Sequence, residues 1–386
     1  MTFTSVNRRT GRARPLLLLC LVAGLAAACS PGDPAAPAPA TSAPVTDRSA
    51  PPARAVVTER TVRVAGVPQG YQAFIEFADA RHGYALFSDC PTNGPCRGGL
   101  LFASADGGAT WQPRPVPDRD GHNLQLYVDG PQQLSLWSET NGYHLSRDGG
   151  RTYTFAREVP RDHRAATGVP FGVEYTSTEA VLTDYRTGKP VPLPDGYQGG
   201  GATVTRDGTI WLTRFDKGRE TARSTDGGVT WQRLAVPEQP GRQLFALFVR
   251  VSPTGDAWLI GEQDPMSSLG GGTSLLGGSV LKGTGLPLVW QLTGGAWRPR
   301  PIEGIREQPN HPYSVAPAGS GLLAIAGPEG VGYLADRYVA VPGTPRLDWI
   351  GVLPDGTLFG RQNVPGRIHL GRGDGWQREW VELTLM

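Results

Sequence analysis

Hydrolysis of a glycosidic bond needs two carboxylates held roughly 5 to 10 Å apart. This chain of 386 residues offers acids in quantity, among them Glu76, Asp79, Glu174, Asp184, Glu262 and Asp264. No sequence neighbourhood singles out two of them, so catalytic residues stay unassigned. Glu174-Tyr175 has the residue types of a tyrosine nucleophile with a glutamate activator, yet neighbours in a strand face opposite ways. The histidines His82, His122, His144, His163, His311 and His369 show no i,i+2 or i,i+4 pairing, and no metal site is expected. Asp106, Asp148 and Asp226 each precede Gly-Gly, which favours a turn over a calcium loop. There is no serine nucleophile elbow, and the glycine-rich run at 270–278 lacks the Lys-Ser/Thr ending of a phosphate cradle. No cofactor is expected.

The elements that must position such residues are set by one phrase in three copies: Ser104-Ala-Asp-Gly-Gly-Ala-Thr-Trp111, Ser146-Arg-Asp-Gly-Gly-Arg-Thr-Tyr153 and Ser224-Thr-Asp-Gly-Gly-Val-Thr-Trp231. Glycine accepts positive φ and aspartate hydrogen-bonds the backbone two residues on, so Asp-Gly-Gly is a tight turn. The structural set is then Ser104, Asp106, Gly108, Thr110 and Trp111, with Ser146, Asp148, Gly150, Thr152 and Tyr153, and Ser224, Asp226, Gly228, Thr230 and Trp231. The aromatic positions 111, 153 and 231 lie 42 and then 78 residues apart. The second interval holds two periods and one degenerate copy, and a period of roughly 40 to 50 residues suits a four-stranded propeller blade. Echoes at Thr293-Gly-Gly-Ala-Trp297 and Asp374-Gly-Trp376 extend the count. Blade ends at Trp111, Tyr153, about Val191, Trp231, Trp297, about Tyr338 and Trp376 make seven, with six and eight as the neighbouring counts. The long step from Trp231 to Trp297 is assigned to an inserted loop at 264–285. Apolar runs such as Ala73–Phe77, Phe245–Val251 and Gly321–Ala326 read as strands. Ring closure is expected from Arg60–Ala65 pairing beside Trp380–Leu385.

The repeated phrase matches S-x-D-G-G-x-T-W, and the chain resembles the Asp-box (BNR) β-propellers, a group that includes sialidases, sortilin-type receptors and photosystem-assembly-factor-like proteins. The phrase Phe77-Ala-Asp-Ala-Arg-His-Gly-Tyr-Ala-Leu-Phe87 looks like the assembly-factor-like branch. The resemblance implies an all-β single propeller and leaves activity open, because the same turn occurs on enzymes and non-enzymes. A sialidase needs three arginines for a carboxylate, the first in an Arg-Ile-Pro phrase. Arg60, Arg63, Arg81 and Arg97, the arginines from the propeller's start to the first box, stand in no such phrase.

The first 29 residues read as a leader: Arg8, Arg9, Arg12 and Arg14, an apolar run from Leu16 to Leu25, then Ala26-Ala-Ala-Cys29. The ending resembles the bacterial lipobox, which makes Cys29 the lipidation site; a plain secretion signal is the alternative. Residues 30–54 form a Pro/Ala-rich tether with little to bury, and 55–386 form the propeller. Cys90 and Cys96 bracket a Pro/Asn/Gly turn and are read as a disulfide outside the cytoplasm. A net charge of +2, from 37 basic and 35 acidic residues, points to no nucleic-acid partner. The composite expectation is a bacterial, extracytoplasmic lipoprotein, monomeric and anchored to the cell membrane. Its propeller is a non-catalytic binding or assembly platform for a protein or glycan. The alternative is an exo-acting glycoside hydrolase of sialidase type. The loops at 90–96 and 264–285 are the expected partner surface.

Overall fold

The computed structural model describes residue 51 and residues 54–386 other than 120, 140, 176–179, 198–200, 215–218, 240–245, 263–278, 282–285 and 306–312. The leader, Cys29, all but the end of the tether, most of the 264–285 insert and His311 therefore lie outside the described residues. Glu174, Tyr175 and Glu262 are described in backbone only.

Seven antiparallel sheets follow one another along the chain, so the protein is a seven-bladed β-propeller. They occupy residues 72–114, 125–156, 171–190, 202–235, 246–299, 313–340 and 349–385. The first strands of neighbouring blades approach one another and line the central channel. In five blades a five-residue turn joins the first strand to the second, at 78–82, 129–133, 205–209, 252–256 and 353–357. Because successive strands reverse direction, these turns share a face with the Asp boxes, which join the third strand to the fourth. The loops from second to third strand lie on the opposite face.

Two sheets carry a fifth strand. Val56–Val62 pairs in parallel with Glu379–Leu385, in register from Val56 opposite Glu379 to Val62 opposite Leu385. The ring closes as expected, with the paired segment starting four residues earlier than Arg60. The other extra strand, Ser279–Leu281, comes from the insert in the fifth blade and pairs with Tyr313–Gly319, the first strand of the sixth.

The third blade departs from the expected four strands. Its sheet has three, Phe171–Tyr175, Ala180–Asp184 and Lys189–Pro190. Phe171 lies against the fourth blade's box turn, where a Cβ on Gly227 would stand 3.2 Å from its ring. The strand Phe171–Tyr175 thus starts at the box face and runs away from it, as second strands do. In place of a first strand the preceding segment forms a five-residue helix, Arg161–Ala165.

Each blade face packs on its neighbour through apolar side chains. Six such cores are present, between blades one and two, three and four, four and five, five and six, six and seven, and seven and one. Trp258, Trp290 and Trp297 are the largest contributors around blade five, each at most 2% exposed. Among the described residues, the junction of blades two and three has no such core.

Candidate functional site

The three boxes are built alike. The Ser104 hydroxyl donates to Asp106 Oδ1 at 2.8 Å and accepts the Gly108 N–H at 2.9 Å. Asp106 also accepts the Ala109 N–H (3.0 Å), the Thr110 N–H (2.9 Å) and the Thr110 hydroxyl (2.6 Å). The Trp111 indole donates back to the Gly108 carbonyl at 3.1 Å. Asp148 and Asp226 repeat the pattern with Ser146 and Thr152, and with Ser224 and Thr230. Burial alone would raise the Asp106 carboxyl, but the bonds from Thr110, Ser104 and Ala109 outweigh it and hold it at about 2. Bonds from Thr230 and Ser224 hold Asp226 at about 2, and bonds from Thr152 hold Asp148 well below the usual carboxylate range. These oxygens are engaged within their own turns. Tyr153 replaces the indole in the second box, so the bond to the glycine carbonyl has no counterpart there.

The degenerate third copy is at Asp184. It stands 36 residues after Asp148 and 42 before Asp226, and accepts the Arg186 N–H (2.9 Å) and the Thr187 hydroxyl (3.1 Å) across the turn to Lys189. Asp184 is therefore engaged within its own turn. A carboxylate one box period from its neighbours and three residues before Thr187 was the available signal.

The remaining candidate acids and histidines are dispersed. Asp79 caps its own turn, accepting from the Arg81 N–H (2.8 Å) and His82 N–H (2.7 Å). Glu76, on a channel-lining strand, forms an ion pair with Arg361; burial raises its carboxyl against that charge. His369 is fully buried, with Nε2 3.0 Å from Glu382, and desolvation lowers its pKa. His163 is buried in the short helix, 3.7 Å from Asp129. Among the described residues no three of His, Cys, Asp and Glu are grouped to hold a metal. Counted from the five-residue turns, Glu76, Tyr127, Thr203, Arg250 and Gly351 stand at one level of the channel-lining strands. That level carries one acid, one phenol, one hydroxyl and one guanidinium.

The disulfide loop and the described ends of the insert, at Glu262 and Leu286, share a face. The Cys90–Cys96 disulfide closes the loop between the second and third strands of blade one. The insert occupies the corresponding loop of blade five. Asn123, in the link to blade two, anchors the disulfide loop: its N–H donates to the Cys96 carbonyl (3.0 Å) and its side-chain oxygen accepts the Cys96 N–H (3.1 Å). Asn123 Nδ2 in turn donates to Glu139 of blade two at 2.6 Å. Asn123 has φ of 49°, a conformation asparagine tolerates better than most residues. Residues 91–94 at the tip are exposed.

No protein-family model matches the chain, and no curated protein matches it. Solved structures do. The chain is similar to YCF48 from Cyanidioschyzon merolae, at 15% identity over 80% of this chain and 95% of that one, with a TM-score of 0.38. It is similar to BamB from Moraxella catarrhalis, at 12% identity over 83% and 84% of the two chains, with a TM-score of 0.32. It is also similar to the GH74 enzyme of Niastella koreensis, at 16% identity over 81% of this chain and 47% of that one, with a TM-score of 0.29. All three are β-propellers. The likeness is one of fold.

Proposed function

We propose that the chain is a lipid-anchored protein of the bacterial cell envelope whose propeller serves as a non-catalytic binding or assembly platform. Its partner, a protein or glycan, docks on the face opposite the Asp boxes. One observation carries the reading: the disulfide loop of blade one and the described ends of the insert of blade five, at Glu262 and Leu286, lie on that face. Loops carried on a rigid framework of blades are how such a scaffold presents a binding surface. The anchorage of the disulfide loop through Asn123 and Glu139 supports it further, since a preordered loop loses less entropy on binding.

Cross-linking the protein in native membranes and identifying what is recovered tests this directly. A stoichiometric partner is expected, and alanine blocks at 91–95 and 264–285 should release it. Retention of the partner by both block variants would overturn the loop-face assignment. Cys29→Ser should move the protein from the membrane to the medium or stall its processing; unchanged fractionation would count against lipidation. Turnover of a chromogenic sialoside by the purified chain would replace the platform reading with the glycoside-hydrolase alternative.

A further inference from the structure

The box face carries a depression of about 560 Å³ between blades five and six. Its origin is visible in the turns. Eight residues separate Ala103 from Gln112 in blade one and Leu145 from Thr154 in blade two, and these hold the boxes. Only two separate Thr293 from Ala296 in blade five, and three separate Leu334 from Tyr338 in blade six. Two neighbouring boxes are thus truncated together. Trp111-Gln-Pro-Arg114 and Trp297-Arg-Pro-Arg300 are equivalent segments, and their arginines show the consequence. Arg114 Nε donates to the Gly149 carbonyl of the second box at 3.0 Å, whereas Arg300 Nη1 meets Asp336 at 3.2 Å. The volume that a Gly-Gly turn fills over blade one stays open over blade five.

We infer that this depression is a binding site for a neutral carbohydrate unit. The volume suits a small ligand, for which pockets run from roughly 300 to 1,000 Å³. The floor is polar and fixed. Asp256 Oδ2 accepts the Gly321 N–H at 3.0 Å and the Thr254 hydroxyl at 3.2 Å, which sets the carboxylate in place. Oδ1 of Asp256 has no hydrogen bond among the described residues. The Thr293 hydroxyl is exposed at the rim, while its neighbour Leu292 packs against the core between blades four and five. Arg300, the one cation lining the site among the described residues, already holds the Gln291 side-chain oxygen, at 3.0 and 2.8 Å, as well as Asp336. An anionic ligand would meet Asp256 with no free positive charge. A sugar ring offers hydroxyl donors to Asp256 and acceptors to Thr293. Ser320, in the wall, is held at φ of 51° and donates to Asp374 of blade seven at 2.8 Å. This fixes the pocket edge in a backbone region that serine rarely adopts.

The site is on the face opposite the loops and stands independently of the platform reading. The test is calorimetric titration of the full chain in detergent with glucose, mannose, galactose and N-acetylglucosamine, and with glucuronic acid and glucosamine as charged counterparts. At least one neutral sugar is expected to bind with a Kd on the order of 1 mM. Thr293→Trp, at an exposed position, fills the depression and should weaken that binding at least about tenfold with an unchanged melting temperature. Asp256→Asn keeps an acceptor for the Gly321 N–H and should weaken it by about fivefold. Absence of binding by all four neutral sugars at about 50 mM would overturn the inference. So would affinity unaltered by either substitution, or tighter binding of a charged sugar than of every neutral one.

Discussion

Each box aspartate directs both carboxylate oxygens into its own turn, which gives the boxes a pH dependence. The folded Asp106 and Asp226 carboxyls lie at about 2, below the unfolded aspartate value of about 3.9. A depressed folded pKa contributes stability that is fully present above the unfolded value and is lost as pH falls through the folded one. The propeller should therefore lose stability between about pH 4 and pH 2. At pH 7, Asp106→Ala should cost about 1 kcal/mol, as removal of a capping carboxylate does, or about 2 °C in a domain this large. The difference from the parent should shrink at pH 2, where the parent carboxyl is about half protonated. Melts at the two pH values check this, and an equal difference at both would refute the hydrogen-bond assignment. The boxes were legible in sequence because every partner in the turn lies within one eight-residue phrase. Arg114 and Arg300 were not, since each reaches an acceptor in the following blade, Gly149 and Asp336.

At the scale of elements, the blade count could be read because turn chemistry repeats with the blade. Val191 and Tyr338 could be placed as blade ends by spacing alone, without a box. The missing strand of the third blade could not be read. The helix Arg161–Ala165 is too short to show a helical period, and Asp184 lacks the Ser and Gly-Gly that would announce a box. The truncated turn of blade five looked like a weak echo of a box, that of blade six carried no such signal, and the hollow the two leave depends on packing across two blades. The disulfide loop gives a prediction of its own. Its closure should contribute about 2 kcal/mol on chain-entropy grounds, so the Cys90→Ala, Cys96→Ala double variant should unfold at lower urea by that amount. Added proteolysis should fall at the exposed residues 91–94 before any blade is cut. An unchanged urea midpoint would mean that Asn123 alone holds the loop.

For the whole molecule, ring closure joins blades seven and one by more than the parallel strand. Gly366 N–H donates to the Ala73 carbonyl at 3.0 Å, and Asp355 accepts the Ala80 N–H at 2.7 Å. Arg372 reaches the carbonyls of Ala80 and Gly107 at 3.1 and 3.3 Å, and an apolar core spans the junction. Deleting residues 55–66 removes Val62 and Val64 from this core and Val57 from the core between blades six and seven. At about 2 kcal/mol for buried Val64 and about 1 kcal/mol for each of the half-buried Val57 and Val62, the loss is about 4 kcal/mol, or roughly 8 °C at this size. An unchanged melting temperature would show that the closing strand is dispensable.

The seam where the ends of the chain meet is nevertheless not the weakest place in the ring. Between blades two and three the described contacts are polar: Gln133 donates to the His163 carbonyl, Asp129 lies 3.7 Å from His163, and exposed Arg147 pairs with exposed Asp162 at 2.6 Å. Exposed ion pairs contribute little, whereas truncating one large side chain in an apolar core costs about 3 to 5 kcal/mol. The five-residue helix stands where a channel-lining strand would have closed the wall. Native-state hydrogen exchange should therefore report opening first at Gln125–Val128 and around the helix, with Gln72–Phe77 and Trp349–Val352 protected to higher free energy. The ordering should survive a change of pH, because it rests on the apolar cores at the other six junctions. Earlier exchange at the closure between blades seven and one would contradict it, and would mean that hydrogen bonds, not buried area, decide where this ring parts.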